Sequence, residues 1–251
     1  MDWGILKMKK NSLEHVKDFY NHYNYPDGYK KRKVYWKEHL SKHIDFNDLK
    51  GKKILDVGCG QGTISKVLYD AGADVYSIDL SKTSVNQVKK NYPEIKAKVG
   101  NALDLDFPDN FFDIVLSIGV LHHTPDPYKG FKECVRVTKP NGKMVILLYT
   151  KYHYYPLVYK TLKILFRNKK PEEVPKLFIK LVKRFTEHYY KEKRTDQDAI
   201  QLIADQFFTP IANFYSRYDI KRWAKKDGLK LLSTSETYFK QHRIYTFEKS
   251  D

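Results

Sequence analysis

The pattern of hydrophobic and polar residues divides the chain into short apolar runs and longer stretches with helical spacing. The apolar runs, typical of buried strands, cover residues 53–57, 74–78, 95–99, 113–118 and 143–149. Between them, apolar residues recur every three or four positions over residues 64–72, 82–92 and 127–138. Strands that alternate with helices predict an α/β fold with a doubly wound, mostly parallel sheet.

Two further helical patterns precede the first strand, over residues 12–24 and 29–43. Ser12 is placed to cap the first of them. Because both come before the first strand, neither can connect two strands of the sheet. We expect residues 1–50 to form lid helices over the ligand site, to pack against the domain, or to do both.

The pattern after residue 150 is helical over residues 152–167 and 174–190, which predicts a helical insertion at 151–218 between the fifth and sixth strands. The second of these helices is amphipathic. Its apolar face carries Leu177, Phe178, Leu181, Val182 and Phe185, whereas off that face lie Lys176, Lys180, Lys183 and Arg184. Such a helix packs on its own domain, docks to an anionic lipid surface, or covers a lipid-like ligand.

The last part of the chain returns to strands. Asp219 is predicted to cap a helix over 220–226, and strands over 229–234 and 243–249 are predicted to add an antiparallel edge. The prediction is therefore a seven-stranded sheet. Residues 51–150 form its ligand-binding core, and residues 219–251 complete it.

A glycine-rich segment follows the first strand. The strand ends in Asp56, and Gly58, Gly60 and Gly62 follow at alternate positions. Glycine allows the backbone to turn tightly and lets a ligand lie against the main chain. Strand, glycine turn and helix therefore predict a nucleotide-binding unit. A dinucleotide-binding loop has its third glycine one position later, where this chain has Thr63, so that reading is weakened.

Polar residues at the ends of the next two strands extend this prediction. Asp79 ends the second strand, where a carboxylate is placed to accept hydrogen bonds from both hydroxyls of a ribose. Asn101 follows the third strand, where a polar side chain can meet an adenine edge. We therefore expect a nucleoside to bind along this edge of the sheet.

Residues 52–148 resemble, in order and spacing, the motifs of class I S-adenosylmethionine (SAM)-dependent methyltransferases of the ubiquinone/menaquinone-biosynthesis-like branch. The matching segments are Asp-Val-Gly-Cys-Gly-Gln-Gly from residue 56, Ser-Ile-Asp-Leu-Ser from 77, Gly-Asn-Ala from 100, Asp-Ile-Val from 113, Leu-His-His from 121 and Arg-Val-Thr-Lys-Pro-Asn-Gly from 136. The resemblance implies a Rossmann-like methyltransferase fold and SAM as the cofactor. The chain departs from the family pattern at Asn101, where Asp is more frequent, and at Asn141, where Gly is usual.

The resemblance also implies a role for each matching residue. Asp56, Gly58 and Gly60 are implied to shape the loop that faces the methionine part of the cofactor, and Cys59 in the same loop is included among the cofactor-binding residues.

The remaining implied contacts concern the nucleoside and the far side of the site. Asp79 is implied to bind the ribose hydroxyls, with Leu80 against the adenine. Asn101 and Ala102 are implied to meet the adenine edge, and Ile118, with the glycine that follows it, to line the site beyond the fourth strand.

Two histidines follow the fourth strand, at the edge where the sites of such sheets open. If the methyl acceptor is a hydroxyl or an amine, His122 or His123 is a candidate general base, because histidine titrates near neutral pH. The alternative is that they pack or orient their loop. Candidates from the N-terminal helices for binding the cofactor carboxylate or the acceptor are Tyr20, Tyr25, Tyr29 and Arg32.

The formal charge of +16 is concentrated in one region. Residues 151–194 contain 13 Lys and Arg against 4 Asp and Glu, a net charge of +9, whereas residues 51–150 contain 13 against 11. This excess indicates an anionic partner, such as nucleic acid, a phospholipid surface or an acidic substrate, or else a solvated basic face.

Cysteine usage and hydropathy bear on the compartment. The chain has only Cys59 and Cys134, and neither has a metal-ligand spacing. We predict no metal and a reducing, cytoplasmic setting. The N-terminus lacks the apolar core of a signal peptide, and the longest apolar runs are too short to span a bilayer.

Three functions are compatible with these features. The first is methyl transfer to a small-molecule acceptor, which the aromatic residues of the insertion suggest is aromatic or lipid-like; these are Tyr152, Tyr154, Tyr155, Tyr159, Phe166, Phe207 and Phe208. The second is methylation of RNA or another nucleic acid through the basic face. The third is SAM binding without catalysis. An Asn/Asp-Pro-Pro-aromatic tetrapeptide is absent from the sequence, which disfavours methylation of exocyclic base amines.

Overall fold

The computed structural model describes residues 13–23, 30–237 and 240–251. Its strands form one seven-stranded sheet in the order β3-β2-β1-β4-β5-β7-β6. The strands are β1 Lys53–Val57, β2 Asp74–Asp79, β3 Lys96–Val99, β4 Phe112–Ile118, β5 Thr138–Tyr149, β6 Leu229–Glu236 and β7 His242–Lys249. The first five strands are parallel to one another. The predicted doubly wound, mostly parallel sheet is thus confirmed.

The last two strands are antiparallel to each other, as expected. They lie outside the parallel strands, but not as a simple edge hairpin in chain order. β7 lies inside the sheet and pairs antiparallel with both β5 and β6, so β6 forms the edge. The register pairs Ile146 with Tyr245, and both side chains are buried. The four consecutive buried residues of β7, 244–247, are therefore typical of an interior strand.

Helices cover both faces of the sheet. They are α1 Leu13–His22, α2 Lys30–Leu40, α3 Thr63–Asp70, α4 Lys82–Asn91, α5 Pro127–Val137, α6 Tyr155–Leu165, α7 Lys176–Tyr190, α8 Asp196–Ile203 and α9 Arg217–Lys226. Alternate strand residues point to opposite faces. Leu55 and Val57 accordingly pack in the core beneath α5 and α9, whereas Ile54 packs in the core beneath α3 and α4.

The caps of two helices show how local hydrogen bonds set the helix ends. Ser81 accepts a hydrogen bond from the Ser84 amide and caps α4. The expectation for α9 was wrong: Ser216 is the cap, and the helix begins at Arg217. Asp219 is instead the third helical residue and bonds back to the Ser216 amide. This reciprocal pair is a capping box, which uses an acid inside the helix as well as a cap before it.

Residues 139–142 form a bulge within β5. β5 begins at Thr138, but its register against β4 jumps from Thr138 opposite Phe112 to Lys143 opposite Ile114. Asn141 has φ 59°, a left-handed conformation that asparagine tolerates better than most residues. An asparagine where the family usually has glycine is therefore compatible with this turn.

The insertion between β5 and β6 contains more regular structure than the sequence indicated. Helix α8 and a π-helical turn over Ala204–Phe208 were not predicted. A separate apolar cluster that includes Val174, Ile179, Ala199 and Ile203 holds them against α7. The capping box of Thr195 and Asp198 is the local signal for α8.

Candidate active site

A cavity of about 470 Å³ opens at the carboxyl ends of the parallel strands, between the sheet, the N-terminal helices and the insertion. Every residue that was predicted to bind the cofactor or to act in catalysis lines it, although their roles remain predictions. These residues are Asp56, Gly58, Cys59, Gly60, Asp79, Leu80, Asn101, Ala102, Ile118, His122 and His123. Tyr20 and Arg32 also line it, whereas Tyr25 and Tyr29 lie outside the described residues.

The glycine loop has the backbone geometry that its sequence predicts. Gly58, Gly60 and Gly62 have φ values of 76°, 53° and 86°, in the region that favours glycine. The Gly58 amide donates to the Ile78 carbonyl at 2.8 Å, which fastens the loop to β2. A Cβ atom at Gly58 would lie 2.2 Å from Val120 Cγ2. A side chain at this position would therefore collide with the segment after β4.

Gly58→Ala is expected to destabilise the protein more than Gly51→Ala does. Gly51 has φ 75°, but a Cβ there meets nothing within 4 Å. Both variants carry the cost of left-handed backbone, roughly 1–2 kcal/mol. Gly58→Ala adds overpacking, typically about 1–3 kcal/mol. Urea unfolding of both variants measures the difference, and equal losses would contradict the close approach to Val120.

Asp56, the acid at the start of the glycine loop, forms a hydrogen bond inside the protein. Asp56 is buried, and its Oδ2 accepts a hydrogen bond from Ser65 Oγ at 2.6 Å. Ser65 Oγ in turn accepts from Ser77 Oγ at 2.9 Å. These contacts tie the end of β1 to α3 and β2, which agrees with a loop-shaping role for Asp56.

Asp79 receives a backbone hydrogen bond on each of its carboxylate oxygens. Gly60 donates to Oδ2 at 2.9 Å, and Ser81 donates to Oδ1 at 2.8 Å. Burial raises the pKa of Asp79, and the two backbone bonds oppose that shift. Each carboxylate oxygen can accept a further bond. The geometry therefore suits a carboxylate that holds the glycine loop and binds two vicinal hydroxyls.

Asn101 uses its amide oxygen in its own turn. Oδ1 accepts a hydrogen bond from the Leu103 amide at 2.9 Å, which forms an Asx-type turn. A carbonyl oxygen has a second lone pair, and the amide nitrogen carries two hydrogens. The predicted contact with an adenine edge thus remains chemically available to this side chain.

The two histidines form a single 3₁₀ turn, Leu121–His123, directly after β4, and both are buried. The His122 ring lies 3.9 Å from the Tyr149 ring, centroid to centroid. Burial lowers the pKa of His122 well below its usual range, and the neighbouring His123 and His242 lower it further. His122 is therefore a neutral ring packed against an aromatic wall.

His123 is oriented by the insertion. Its Nδ1 lies 2.7 Å from the Ile211 carbonyl oxygen. Because a carbonyl oxygen only accepts, Nδ1 carries the hydrogen, and the lone pair of the neutral ring is on Nε2. Burial lowers the pKa of His123, whereas the Asp205 carboxylate raises it and Lys163 lowers it. His123 thus has the tautomer and the charge state of a general base at neutral pH.

A buried polar cluster beside His123 includes residues that the sequence did not single out. Tyr20 on α1 donates to Asp205 Oδ1 at 3.2 Å, and its hydroxyl lies 3.5 Å from Thr209 Oγ1. Burial raises the pKa of Tyr20 well above its usual value, and the Asp205 carboxylate adds to this, so Tyr20 is a neutral donor. Asp205 lies on the π-helical turn, and such turns are frequent at functional sites. The sequence signal for Asp205 was that it is the single acid within the mainly apolar residues 199–208.

Aromatic residues of the insertion divide into two groups. Tyr154, Tyr155 and Phe207 line the cavity. The other aromatic residues predicted to contact the acceptor lie elsewhere. Tyr159 is buried and its hydroxyl donates a hydrogen bond to the Thr209 carbonyl, whereas Tyr152 is exposed. Phe166 stacks on Phe208 in the apolar cluster of the insertion. The sequence therefore identified the aromatic wall only in part.

A seven-stranded sheet with an interior antiparallel β7, a glycine loop after β1 and an acid at the tip of β2 defines the architecture of class I SAM-dependent methyltransferases. Residues 55–146 match the family described as "Methyltransferase domain". This segment holds the glycine loop, Asp79 and both histidines, so the match to a methyltransferase domain includes residues predicted to bind SAM. The cavity fits SAM, because Gly60 lines it with nothing within 4 Å of the position of a Cβ, and Asp79 keeps free acceptor capacity.

Known proteins share this region of sequence and the overall fold. The demethylmenaquinone methyltransferase of Paenarthrobacter aurescens (strain TC1) is 41% identical over 105 residues, covering 41% of this chain and 41% of the relative. The demethylmenaquinone methyltransferase of Geobacillus sp. (strain WCH70) is 35% identical over 154 residues, covering 57% and 65%. The chain thus spans less than two thirds of the length of either relative.

The fold similarity extends over the whole chain. The structure of magnesium protoporphyrin IX methyltransferase from Synechocystis PCC 6803 with bound SAH has a TM-score of 0.61, at 18% identity, and covers 99% of this chain and 100% of that one. At this identity the similarity shows the fold.

Proposed function

We propose that the protein transfers a methyl group from SAM to the hydroxyl or amine of a small, aromatic or lipid-like acceptor, with His123 as the general base. One observation carries this proposal. A single cavity joins the cofactor loop and Asp79 to His123 and to the aromatic residues Tyr155 and Phe207 of the insertion. The residues proposed to bind the cofactor, to act as the base and to contact the acceptor thus line the same cavity.

The residues that would hold the cofactor are those of the glycine loop, with Asp79 at the ribose and Asn101 near the adenine. When bound, SAM supplies an activated methyl group on a sulfonium. The chain's own residues therefore have to align the acceptor and exclude water. The buried rings of Tyr149 and Tyr155, whose centroids are 5.0 Å apart, supply an apolar wall for this purpose.

His123 is suited to take the proton of the acceptor. Its Nδ1–H is held by Ile211, so that Nε2 is the basic atom. The Asp205 carboxylate favours the charged ring that proton uptake creates, because the opposite charge lies nearby. Tyr20 holds Asp205 from the other side through its hydroxyl. Asp205 and Tyr20 are thus positioning residues for the base.

The proposal is tested by measuring S-adenosylhomocysteine release with a panel of acceptors. The panel contains phenols, hydroxylated quinones and amines of increasing side-chain length, together with RNA and DNA. We expect release with at least one hydroxyl- or amine-bearing small molecule, and loss of release when that group is already methylated. Release only with nucleic acid would overturn the acceptor class, and cofactor binding without any release would overturn catalysis.

A further inference from the structure

Helix α7 leaves a line of large apolar side chains in solvent. Leu177, Leu181 and Phe185 are 70%, 56% and 55% exposed, and each is four residues from the next, so they lie along one side of the helix. The sequence predicted that all apolar residues of this helix share one buried or docked face. Instead Ile179 is buried and packs inward with Phe178 and Val182, whereas the line at 177, 181 and 185 is more than half exposed in the part of the chain that the structure describes.

Helix α6 exposes a second apolar surface. Leu157, Ile164 and Leu165 are each more than 60% exposed. Single exposed apolar residues are ordinary on a protein surface, but several on two neighbouring helices mark an interaction site. Phe166, which follows α6, contacts Phe178 of α7 with ring centroids 5.8 Å apart, so the two helices belong to one packed unit.

A line of cations runs beside the apolar line of α7. Lys176, Lys180 and Arg184 also recur every four residues, and none forms a salt bridge among the described residues. Lys183 of the same helix does, with Asp196 at 2.8 Å. The free cations therefore lie next to the exposed apolar residues, within the segment of net charge +9.

The same surface borders the cavity. Tyr154 and Phe185 line the cavity and are also more than half exposed, so they lie at its mouth. Val158 of α6 is a further lining residue that is partly exposed. Apolar side chains therefore continue from the exposed surface of α6 and α7 to the lining of the cavity.

We propose that α6 and α7 dock the protein on an anionic phospholipid bilayer, and that the acceptor enters the cavity directly from the bilayer. Apolar side chains enter the acyl boundary while adjacent cations meet lipid phosphates, as in interfacial amphipathic helices. No helix in the described parts of the chain is long and apolar enough to cross a bilayer, so the contact is peripheral. The entry route rests on the proposed function, but the docking does not.

The charges on α7 argue against two other partners for this surface, a second copy of the chain and a nucleic acid. A second copy of the chain would bring Lys176, Lys180 and Arg184 of one protomer against the same residues of its partner, and like charges repel. A nucleic acid would pair with the cations but would leave Leu177 and Leu181 in water. A bilayer with anionic headgroups both buries the apolar line of α7 and pairs with its line of cations.

The docking is tested by co-sedimentation with vesicles of phosphatidylcholine alone or mixed with phosphatidylglycerol. We expect binding to the mixed vesicles that weakens with salt. The triple variant K176Q/K180Q/R184Q should bind about 100-fold less tightly, since each cation near such a surface contributes about fivefold at ~1 kcal/mol and the three contributions multiply. L177S/L181S should also lose binding. The matched control K82Q/K89Q/K90Q removes three exposed charges from α4 and should bind like wild type.

Equal loss in the α4 control, or unchanged binding in the α7 variants, would overturn the proposal. Two further results would overturn it if the protein does not bind vesicles. One is a dimer in analytical ultracentrifugation that L177S/L181S abolishes. The other is RNA binding that K176Q/K180Q/R184Q abolishes. SAM affinity is measured for the same variants and should not change, because none of these side chains lines the cavity. Vesicle binding by an inactive protein would refute the proposed function and leave the docking intact.

Discussion

His123→Ala is expected to lower kcat by about 10²–10⁴-fold, the usual contribution of a general base, while the affinity for SAM stays near that of the wild type. The reason is geometric: His123 is the ring whose Nδ1 is held by the Ile211 carbonyl, which leaves Nε2 free to accept a proton. Single-turnover assays and isothermal titration with SAM separate the two effects. A variant with wild-type turnover would remove His123 from catalysis.

His122→Ala is the matched control for this prediction. The two rings are adjacent, with centroids 4.3 Å apart, and both are buried. His122→Ala creates a cavity under Tyr149 and should lower stability, but it leaves the base in place. If His122→Ala lost far more turnover than His123→Ala at equal SAM affinity, the assignment of the base would be reversed.

The pH profile gives a second check on the same residue. Because the pKa of His123 is lowered, the deprotonated base is already formed at neutral pH, and the acidic limb of kcat/KM should fall below the usual histidine range. Asp205 raises that pKa, so Asp205→Asn should move the limb further towards acid and lower the rate. A limb that stays in place in Asp205→Asn would show that the carboxylate does not act on His123.

Asp79→Ala is expected to raise the Kd for SAM by at least about 100-fold. Hydrogen bonds to a charged group are worth roughly 1.5–3 kcal/mol each, and the variant loses two ribose bonds and the anchor of the Gly60 amide. SAM at 100 times its Kd stabilises the wild type by about 2.7 kcal/mol, which corresponds to roughly 5–10 °C in Tm for a chain of this size. The variant should show no shift at the same concentration.

Asp106→Ala controls for the general cost of removing an acid at this edge of the sheet. Asp106 is 96% exposed, pairs only with Lys98 among the described residues, and does not line the cavity. Its thermal shift with SAM should equal that of the wild type. A normal shift in Asp79→Ala would contradict the ribose assignment, whatever the Tm of the variant without ligand.

That the residues proposed to bind the cofactor share one cavity could be predicted, because their positions are determined locally in the sequence. A glycine at 58, an acid at 79 and two histidines at 122 and 123 each follow a strand. Parallel strands bring such residues to one edge whatever the rest of the chain does. The strand periodicity was equally local, so the parallel direction of the first five strands followed from the alternation of strands and helices.

The acceptor side could not be predicted in the same way. The contact between Tyr20 and Asp205 joins residues 185 positions apart, and no local pattern specifies it. The exposure of Leu177 and Leu181 depends on which side of α7 meets α8, and the apolar spacing of α7 alone suggested one common face. The position of β7 inside the sheet likewise depends on pairing between distant strands.

Helix α1 makes side-chain contacts towards both halves of the site. Asn21 accepts a hydrogen bond from Ser81 next to the ribose acid, and Tyr20 reaches Asp205 on the acceptor side. A ligand that orders this helix from one half therefore lowers the entropic cost of binding in the other half. By thermodynamic linkage, cofactor and acceptor affinities are then coupled to the same extent in both directions.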